Sequence, residues 1–329
     1  MGGVVERTGL SVKKQIGSMK SVIKPVDVEL LKQELTEDKI LRKTNALNNV
    51  IYMVDAHNSP NVLREIGRLR ELTFRAAGGG TGKELDLDEF DEGPHAWKQL
   101  IVWNPEEEEI VSAYRFVKGT DAPVDEKGYP HTATSELFEF SPRFIQDQWQ
   151  RTIELGRSFV QPKYQVSADP RKGLFALDNI WDGLGALAVK YPEIEYFFGK
   201  MTMYNTYSRL ARRLILDFLK RYFQGDENLV KPFHSTDRVK KISKKNTAVF
   251  KEKTLGDSLS VLKKRVRAMG TVIPPLIKSY MSISPSLKYF GISDNPNFGE
   301  VEELAIMIHI PEIYENKRER HITSFIKSK

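Results

Sequence analysis

Four charged residues interrupt stretches of the sequence whose apolar pattern predicts buried strands or the inner face of a helix; they are Arg70, Arg115, Glu154 and Arg157. An unpaired charge inside a protein costs free energy, so each must pair with another charge or face a pocket. In a pocket, a glutamate could accept a proton from a substrate and an arginine could hold a carboxylate through two parallel hydrogen bonds. The sequence therefore predicts either a polar site or a buried ion-pair network at these positions.

A dense run of carboxylates, residues 84–91, follows the three glycines at 78–80. Its candidate functional members are Glu84, Asp88 and Asp91. Two interpretations stay open. In one, these side chains bind or activate a substrate. In the other, the two aspartates join the arginines named above in a structural network that fastens the loop to a sheet.

Hydrophobic periodicity and turn residues predict strands that alternate with helices. A β-branched and aromatic run at 50–54 predicts the first strand, and an amphipathic helix over 60–77 follows it until the glycines end it. Further strands are predicted at 98–103, 109–117, 151–160, 195–201 and 301–310, and further helices from Asp169 and over 205–223. This order implies an α/β fold in which helices cover both faces of a mixed sheet.

Positive charge is concentrated between Arg238 and Arg267, where eleven basic and two acidic residues leave a net charge of +9, against +6 for the whole chain. Such a segment attracts acidic partners: an acidic protein, anionic lipid or nucleic acid. The alternative is a solvated segment without a partner.

Several classes of protein are disfavoured by composition and spacing. The absence of cysteine excludes disulfides, thiolate nucleophiles and cysteine-based zinc sites, and suits a reducing cytoplasm. No apolar run approaches the roughly 18 residues that a membrane span needs. The stretch 78–83 lacks the spacing of a nucleotide-binding phosphate loop, and the six histidines do not cluster at metal-ligand spacing. We therefore predict no membrane span, no ATP loop and no metal site.

The motifs, taken in order, resemble a known family. They are Arg-x3-Phe from Arg70 to Phe74, Glu-x3-Asp-x2-Asp from Glu84 to Asp91, a Tyr-Arg strand end at Arg115, and Glu-Leu-Gly-Arg from Glu154 to Arg157. This series is similar to the acyl-homoserine-lactone synthases, and more so to the ornithine-lipid and glycine-lipid N-acyltransferases, often labelled hemolysin-like. The resemblance runs from about residue 50 to 310 and includes the stretches 157–164 and 273–280 and the Phe198-Gly199 strand end.

The resemblance implies an N-acetyltransferase-like (GNAT) fold with an N-terminal helical arm and a C-terminal extension. It also implies an enzyme that moves a 3-hydroxyacyl group from acyl carrier protein to the amine of glycine or ornithine, giving a lyso amino-acid lipid. The candidate catalytic residues are Glu84, Glu154 and Arg157, with the base open between the two glutamates. The candidate substrate-binding residues are Arg70, Phe74, Asp88, Asp91 and Arg115.

The donor implied by the resemblance is the acyl-phosphopantetheine of the carrier protein, with no tightly bound cofactor. The stretch 170–175 keeps one glycine of the superfamily's pyrophosphate loop, which disfavours a tight grip on the nucleotide of coenzyme A. Carrier protein or anionic lipid is predicted to dock on basic side chains, namely Lys240, Lys241, Lys244, Lys245, Lys263, Lys264 and Arg265. Nucleic acid is a disfavoured partner, and the predicted location is cytoplasmic with peripheral contact at the inner membrane face.

We divide the chain into an N-terminal polar arm (1–45), an acyltransferase core (46–235), a basic insertion (236–268) and a C-terminal part that completes the core (269–329). Two alternatives to the lipid-forming enzyme remain. One is a signal synthase that makes acyl-homoserine lactones, against which the extra C-terminal third argues. The other is a non-enzymatic basic protein that binds lipid or nucleic acid, whose binding would fall steeply with salt.

Overall fold

A computed structural model describes residues 19–165, 167–234, 249–250, 254–299 and 301–328 of the chain. Its centre is an eight-stranded sheet with the strand order β1-β2-β3-β4-β6-β7-β10-β9. Neighbouring strands pair antiparallel except β6 and β7, which are parallel. The strands are β1 (Ile40–Lys43), β2 (Val50–Val54), β3 (Lys98–Asn104), β4 (Glu109–Lys118), β6 (Thr152–Val160), β7 (Tyr196–Met203), β9 (Lys288–Asn295) and β10 (Val301–His309). Two short strands, β5 (Phe138–Phe140) and β8 (Val230–Pro232), pair separately.

The main helices are α1 (Val28–Glu34), α2 (Pro60–Ala77), α3 (Pro142–Asp147), α4 (Pro170–Lys190), α5 (Arg209–Phe223), α6 (Leu255–Ala268) and α7 (Pro275–Met281). Short helical turns over 315–328 end the described chain. Local sequence explains the longest two. Helix α2 has proline in its first turn and ends at Gly78, whose φ of 94° places it in the left-handed region. Helix α4 is capped by Asp169, whose side chain accepts hydrogen bonds from the amides of Arg171 and Lys172.

Successive side chains along a strand alternate between two hydrophobic clusters, one on each face of the sheet. Helices cover both faces. In β3, Leu100 and Val102 belong to the cluster with α4, α5, α6 and α7. Ile101 and Trp103 belong to the cluster with α1 and α2. This period of two is what a sheet buried on both sides requires. The predicted α/β fold with a covered mixed sheet is confirmed.

A bulge in β6 breaks this alternation beside the candidate site. Ala113 pairs with Phe159 and Arg115 pairs with Gly156, so Tyr114 alone opposes both Arg157 and Ser158. Arg157 has a φ of 48°, which is uncommon for a residue with a side chain. The extra residue changes the face on which the following side chains lie: Ile153 and Leu155 face α4, whereas Phe159 lies in the cluster with α2. The bulge therefore brings Arg157 to the face that carries Glu154.

Strands β6 and β7 pair over only four residues and then separate. Their register runs from Thr152 opposite Tyr196 to Leu155 opposite Gly199, although both strands continue for several residues. At the last pair, a Cβ atom on Gly199 would lie 2.3 Å from the carbonyl oxygen of Leu155, so only glycine fits. Beyond it, backbone groups of two strands face a gap in the middle of the sheet.

The predicted elements of the core agree with the structure to within a few residues, and two segments outside the predicted core range also pack against it. Strand β1, within the predicted arm 1–45, pairs with β2 and so belongs to the sheet. Helix α6, within the predicted basic insertion, buries Leu262 and Val266 in the main hydrophobic cluster. Among the described residues, no helix has the length and apolar character needed to cross a membrane.

Candidate active site

Two cavities of opposite character meet beside the gap between β6 and β7. The polar cavity, about 200 Å³, is lined by Glu154, Arg115 and Asp88 together with residues of the loops at 133–137 and 295–298. The apolar cavity, about 570 Å³, is lined by side chains of α2, α4 and α7. Arg157, Lys200 and Phe298 line both cavities. A substrate with a polar end and a long apolar end would therefore place its junction at these three residues.

Glu154 is a buried carboxyl group on the wall of the polar cavity. Its Oε1 atom accepts a hydrogen bond of 2.9 Å from the backbone amide of Thr134. Its Oε2 atom has no hydrogen-bond partner among the described residues. Burial raises the pKa of Glu154 above its ordinary value, although hydrogen bonds from Thr132 and Thr134 oppose the shift. A carboxylate with a raised pKa is a stronger base, and the second oxygen keeps its capacity to accept a hydrogen bond.

Lys200 follows Gly199 directly, at the point where β7 leaves β6. Among the described residues, it alone lines the polar cavity, the apolar cavity and a narrow cleft of about 20 Å³ between the two strands. Its ammonium group donates a hydrogen bond to the carbonyl oxygen of Ala133. Burial lowers the pKa of Lys200, and the charge of Glu303 opposes that shift. The Lys200 side chain therefore places a hydrogen-bond donor where the two cavities meet.

Arg157 is held by contacts on two sides. Its Nε atom forms an ion pair of 3.2 Å with Asp86, and its Nη2 atom donates a hydrogen bond of 3.3 Å to Asp88. The guanidinium lies over the ring of Phe298 at 4.5 Å from the centroid, a distance typical of cation–π contacts. These contacts fix the guanidinium at the boundary of the two cavities.

A buried ion-pair network lies behind the polar cavity. Asp91 accepts hydrogen bonds from Arg70 at 2.9 Å and from Arg115 at 2.8 Å, and Gln99 completes the shell by bonding to both Arg70 and Asp91. Arg70 and Asp91 are fully buried and line neither cavity. Asp88 also binds Arg115. This arrangement fits the structural interpretation for Arg70 and Asp91, because it ties the carboxylate loop to α2 and β4.

Asp88 lies at the junction between the network and the polar cavity. Burial alone would raise the pKa of Asp88, but its contacts with Arg115 and Arg157 outweigh burial and hold the pKa well below its ordinary value. The charges of Asp91 and Asp88 raise the pKa of Arg115 against the effect of burial. Asp88 is therefore a permanent anion that neutralises arginines at the cavity wall.

The apolar cavity passes through the gap in the sheet. Phe74 of α2 lines it on one face and packs edge-on against Phe298, with ring centroids 5.1 Å apart. Leu177 of α4 and Ile277 of α7 line it on the other face. Phe74 is thus both a core residue and part of the cavity wall, so a flexible apolar chain could contact it while crossing the sheet.

Two tyrosines close the cleft between β6 and β7. The hydroxyl groups of Tyr114 and Tyr280 are 3.0 Å apart, and both residues line the cleft with Ser158. Burial raises the pKa of each tyrosine, so both keep their protons at neutral pH. The cleft therefore offers a proton donor next to the unpaired strand ends.

The remaining predicted residues lie elsewhere. The side chain of Glu84 is exposed and lines neither cavity, so we do not retain it as a candidate base. Lys263, Lys264 and Arg265 are exposed on α6. The other predicted docking residues, Lys240, Lys241, Lys244 and Lys245, lie outside the described residues.

Comparison with known proteins decides the family. The chain is 52% identical to a glycine N(alpha)-acyltransferase of Bacteroides thetaiotaomicron over 310 residues, which cover 94% of this chain and 92% of the relative. It is 48% identical to a glycine N(alpha)-acyltransferase of Phocaeicola vulgatus, with 94% of each chain covered. The chain belongs to the glycine N(alpha)-acyltransferase family. This membership favours an enzyme over a non-enzymatic binding protein and confirms the predicted acyltransferase class.

Residues 69–171 of this acyltransferase match the acetyltransferase (GNAT) domain family, which confirms the predicted fold. The matched range begins in α2 and ends at the start of α4, so it includes Arg70, the carboxylate loop and Glu154. A solved structure, "The structure of FeeM, an N-acyl amino acid synthase from uncultured soil microbes", covers 84% of this chain and 98% of its own, with 11% identity and a TM-score of 0.40. A similarity of this size carries no information about the site.

Sequence reasoning missed Lys200, although the signal was present. Lys200 interrupts the apolar strand Tyr196–Met203 in the same way that Arg115 interrupts β4. Three further residues complete the polar cavity of the acyltransferase: Ala133 and Thr134 in a loop, and Asn295 at the end of β9. They carry no comparable signal, because their positions depend on the folded chain. Glu89, His131 and Glu136 bring possible metal-ligand atoms within 4.8 Å of one another, but all three side chains are exposed.

Proposed function

We propose that the enzyme transfers a long acyl chain from a thioester to the amine of glycine. The observation that carries the proposal is the meeting of the polar cavity and the apolar cavity at Arg157, Lys200 and Phe298. Glycine is the acceptor that the names of both relatives indicate. The modest volume of the polar cavity, about 200 Å³, suits a small acceptor.

Glu154 is the proposed base. An amino acid reaches the site mainly as an ammonium ion, which must lose a proton before it can attack a carbonyl carbon. Glu154 lines a cavity of the right polarity, its Oε2 atom has no hydrogen-bond partner among the described residues, and the raised pKa of its carboxyl group favours proton acceptance. Glu84, the other glutamate that the sequence suggested, is exposed and does not line the polar cavity.

The donor is proposed to enter through the gap between β6 and β7. Strand pairing ends at Leu155 and Gly199, so the strand backbones beyond them can pair with the amide groups of an extended phosphopantetheine arm. The apolar cavity of about 570 Å³ would then hold the acyl chain, including a 3-hydroxyacyl chain. In the reaction the amine forms a C–N bond with the thioester carbon and the C–S bond breaks. Glu154 accepts one proton from the ammonium group before the attack, Tyr114 can protonate the leaving thiolate, and the second proton that the nitrogen loses restores Tyr114.

Acyl carrier protein is the proposed carrier of the donor, and the product is proposed to be a lyso amino-acid lipid. The exposed bases of α6, namely Lys263, Lys264 and Arg265, have charge opposite to that of an acidic carrier. Two exposed apolar side chains lie near the apolar cavity. Val272 lines it, and Leu174 directly follows Gly173, which also lines it. Basic and apolar side chains together also suit peripheral contact with an anionic membrane on the cytoplasmic side.

The decisive experiment measures thiol release from 3-hydroxyacyl carrier protein by the purified enzyme, with glycine, ornithine or no amino acid present. We expect release that depends on glycine, together with a product of the mass of N-acylglycine. A parallel series with the acyl-coenzyme A thioester tests the choice of carrier. Absence of amino-acid-dependent release from either donor would refute the proposed reaction, and release with ornithine alone would change the acceptor.

A further inference from the structure

One peptide group joins the two charged side chains that face the polar cavity. The carbonyl oxygen of Ala133 accepts a hydrogen bond from the Lys200 ammonium group. The amide of the next residue, Thr134, donates to Glu154 Oε1 at 2.9 Å. The C=O and N–H of a trans peptide group point in opposite directions, so the peptide separates the ammonium from the carboxylate by a fixed distance. Lys200 and Glu154 therefore form a rigid pair of opposite charges in one cavity wall.

Both members of this pair keep hydrogen-bonding capacity for a ligand. Glu154 Oε2 has no partner among the described residues. A lysine ammonium has three donors, and within the described chain Lys200 uses one of them, for Ala133. The nearby carboxylate of Glu303 already accepts hydrogen bonds from Thr202 at 3.1 Å and from Asn295 at 3.3 Å.

The arginines that the sequence suggested as carboxylate ligands are occupied by the protein itself. Arg115 contacts Asp88 and Asp91, and Arg157 contacts Asp86 and Asp88. Lys200 forms no salt bridge with the described residues. Of the three cations that line the polar cavity, it is the one that forms no ion pair with the described residues.

We propose that Lys200 binds the carboxylate of the acceptor amino acid while Glu154 Oε2 faces its amine. This inference rests on the proposed function, because it assigns the two ends of that acceptor. The ammonium and carboxylate of an α-amino acid are two bonds apart, so a rigid lysine–glutamate pair can select for that spacing. The attacking nitrogen then lies near Arg157 and Phe298, where the acyl chain enters from the apolar cavity.

The test compares glycine with glycinamide, which has the amine but no carboxylate, in the unmodified enzyme and in the variants Lys200→Met and Lys200→Gln. Glutamine can still donate a hydrogen bond to Ala133, so it preserves the local structure if methionine does not. Lys220→Met, an exposed lysine of α5, serves as the matched control. The readout is kcat/KM for each acceptor, with thermal unfolding recorded for every protein.

We expect the unmodified enzyme and Lys220→Met to prefer glycine. In the Lys200 variants, kcat/KM for glycine should fall about 10- to 100-fold, the size expected for a lost charged hydrogen bond, while glycinamide turnover is retained. An equal fall for both acceptors, or an unchanged preference for glycine, would overturn the carboxylate assignment while leaving the proposed reaction intact. Failure of the unmodified enzyme to acylate glycine would refute the proposed function, and the carboxylate site with it.

Discussion

Gly199 approaches the backbone of Leu155 so closely that a Cβ atom on it would lie 2.3 Å from the Leu155 carbonyl oxygen. This contact is the last one between β6 and β7 before the strands separate. It sets the point where the gap in the sheet begins, and Lys200 follows it immediately.

Replacing Gly199 with alanine should therefore push the two strands apart. We expect the free energy of unfolding to fall by about 1–3 kcal/mol, as for other overpacked sites, and acyl transfer to fall with it. Urea denaturation measures the first effect and thiol release the second. Gly256→Ala is the control, since the nearest atom to its added Cβ is 4.0 Å away and alanine favours a helix. Equal stability of the two variants would show that the Leu155 carbonyl oxygen does not exclude a side chain at position 199.

Glu154→Gln should remove the base while keeping the hydrogen bond from Thr134. We expect kcat to fall about 100-fold or more. Because burial raises the pKa of Glu154, the unmodified enzyme should lose activity as the pH falls through a pKa above the ordinary value for glutamate, as the base form disappears. This acid limb should be absent from the pH profile of the variant.

Glu84→Gln provides the matched comparison, because Glu84 is the other glutamate that the sequence suggested and its side chain is exposed. We expect its activity and pH profile to match those of the unmodified enzyme. The reverse pattern, with loss of the acid limb in Glu84→Gln and its retention in Glu154→Gln, would reassign the base.

Asp91→Asn tests the structural interpretation of the buried network. The change leaves Arg70 and Arg115 without their shared carboxylate, and breaking a buried pair costs about 3–5 kcal/mol. We expect a loss of that order in the free energy of unfolding, measured with urea. Asp147→Asn, which breaks an exposed pair with Arg143, should cost less than about 1 kcal/mol. A fully stable Asp91→Asn enzyme with reduced affinity for the acceptor would favour a substrate-binding role instead.

Leu177→Trp should shorten the apolar cavity on the α4 side of the sheet. We expect turnover of long acyl donors to fall at least about tenfold, while short donors are used as before, because a bulky indole occupies the space of the chain end. The control is Leu174→Trp, one turn away on the same helix, where the side chain is 66% exposed. Kinetics with a series of acyl lengths would contradict the assignment if both variants behaved alike.

Charge reversal of Lys263, Lys264 and Arg265 to glutamate tests docking of the carrier. We expect KM for acyl carrier protein to rise about tenfold or more at low salt and the difference to shrink as salt screens the charges. Turnover of a small acyl-pantetheine thioester should not change. Reversal of three exposed bases elsewhere, Lys127, Arg143 and Lys220, controls for net charge. Equal effects of the two triple variants would assign the change to overall charge.

Much of the core could be predicted from sequence because its signals are local. The helix Pro60–Ala77 has an apolar stripe, a proline at its start and glycines at its end, and the strand Val50–Val54 has β-branched residues between turn residues. Strand β9 and the small β5–β8 sheet were missed, since partners distant in sequence define them. Strand β1 was placed in an arm for the same reason.

The site was predictable where a charge interrupts an apolar pattern, as at Arg115 and Glu154. Sequence could not distinguish a charge that lines a cavity from one sealed inside a network, because both interrupt the pattern alike. Arg70 and Asp91 are sealed, whereas Glu154 is buried against a cavity. The bulge that turns Arg157 to the same face leaves no composition signal, since one extra residue in a strand looks like any other.

The position of β10 in the sheet has a consequence for biosynthesis. This strand is the last in chain order of the ten that the structure describes, yet it lies between β7 and β9. Phe298 and Glu303, which line the apolar cavity, come from the loop before it and from the strand itself. On the ribosome, β6 precedes β7, but about a hundred further residues must emerge before the second neighbour of β7, which is β10, and such long-range pairing folds slowly. A nascent chain would expose an apolar strand edge throughout this interval, and such an edge can pair with strands of other chains until β10 covers it.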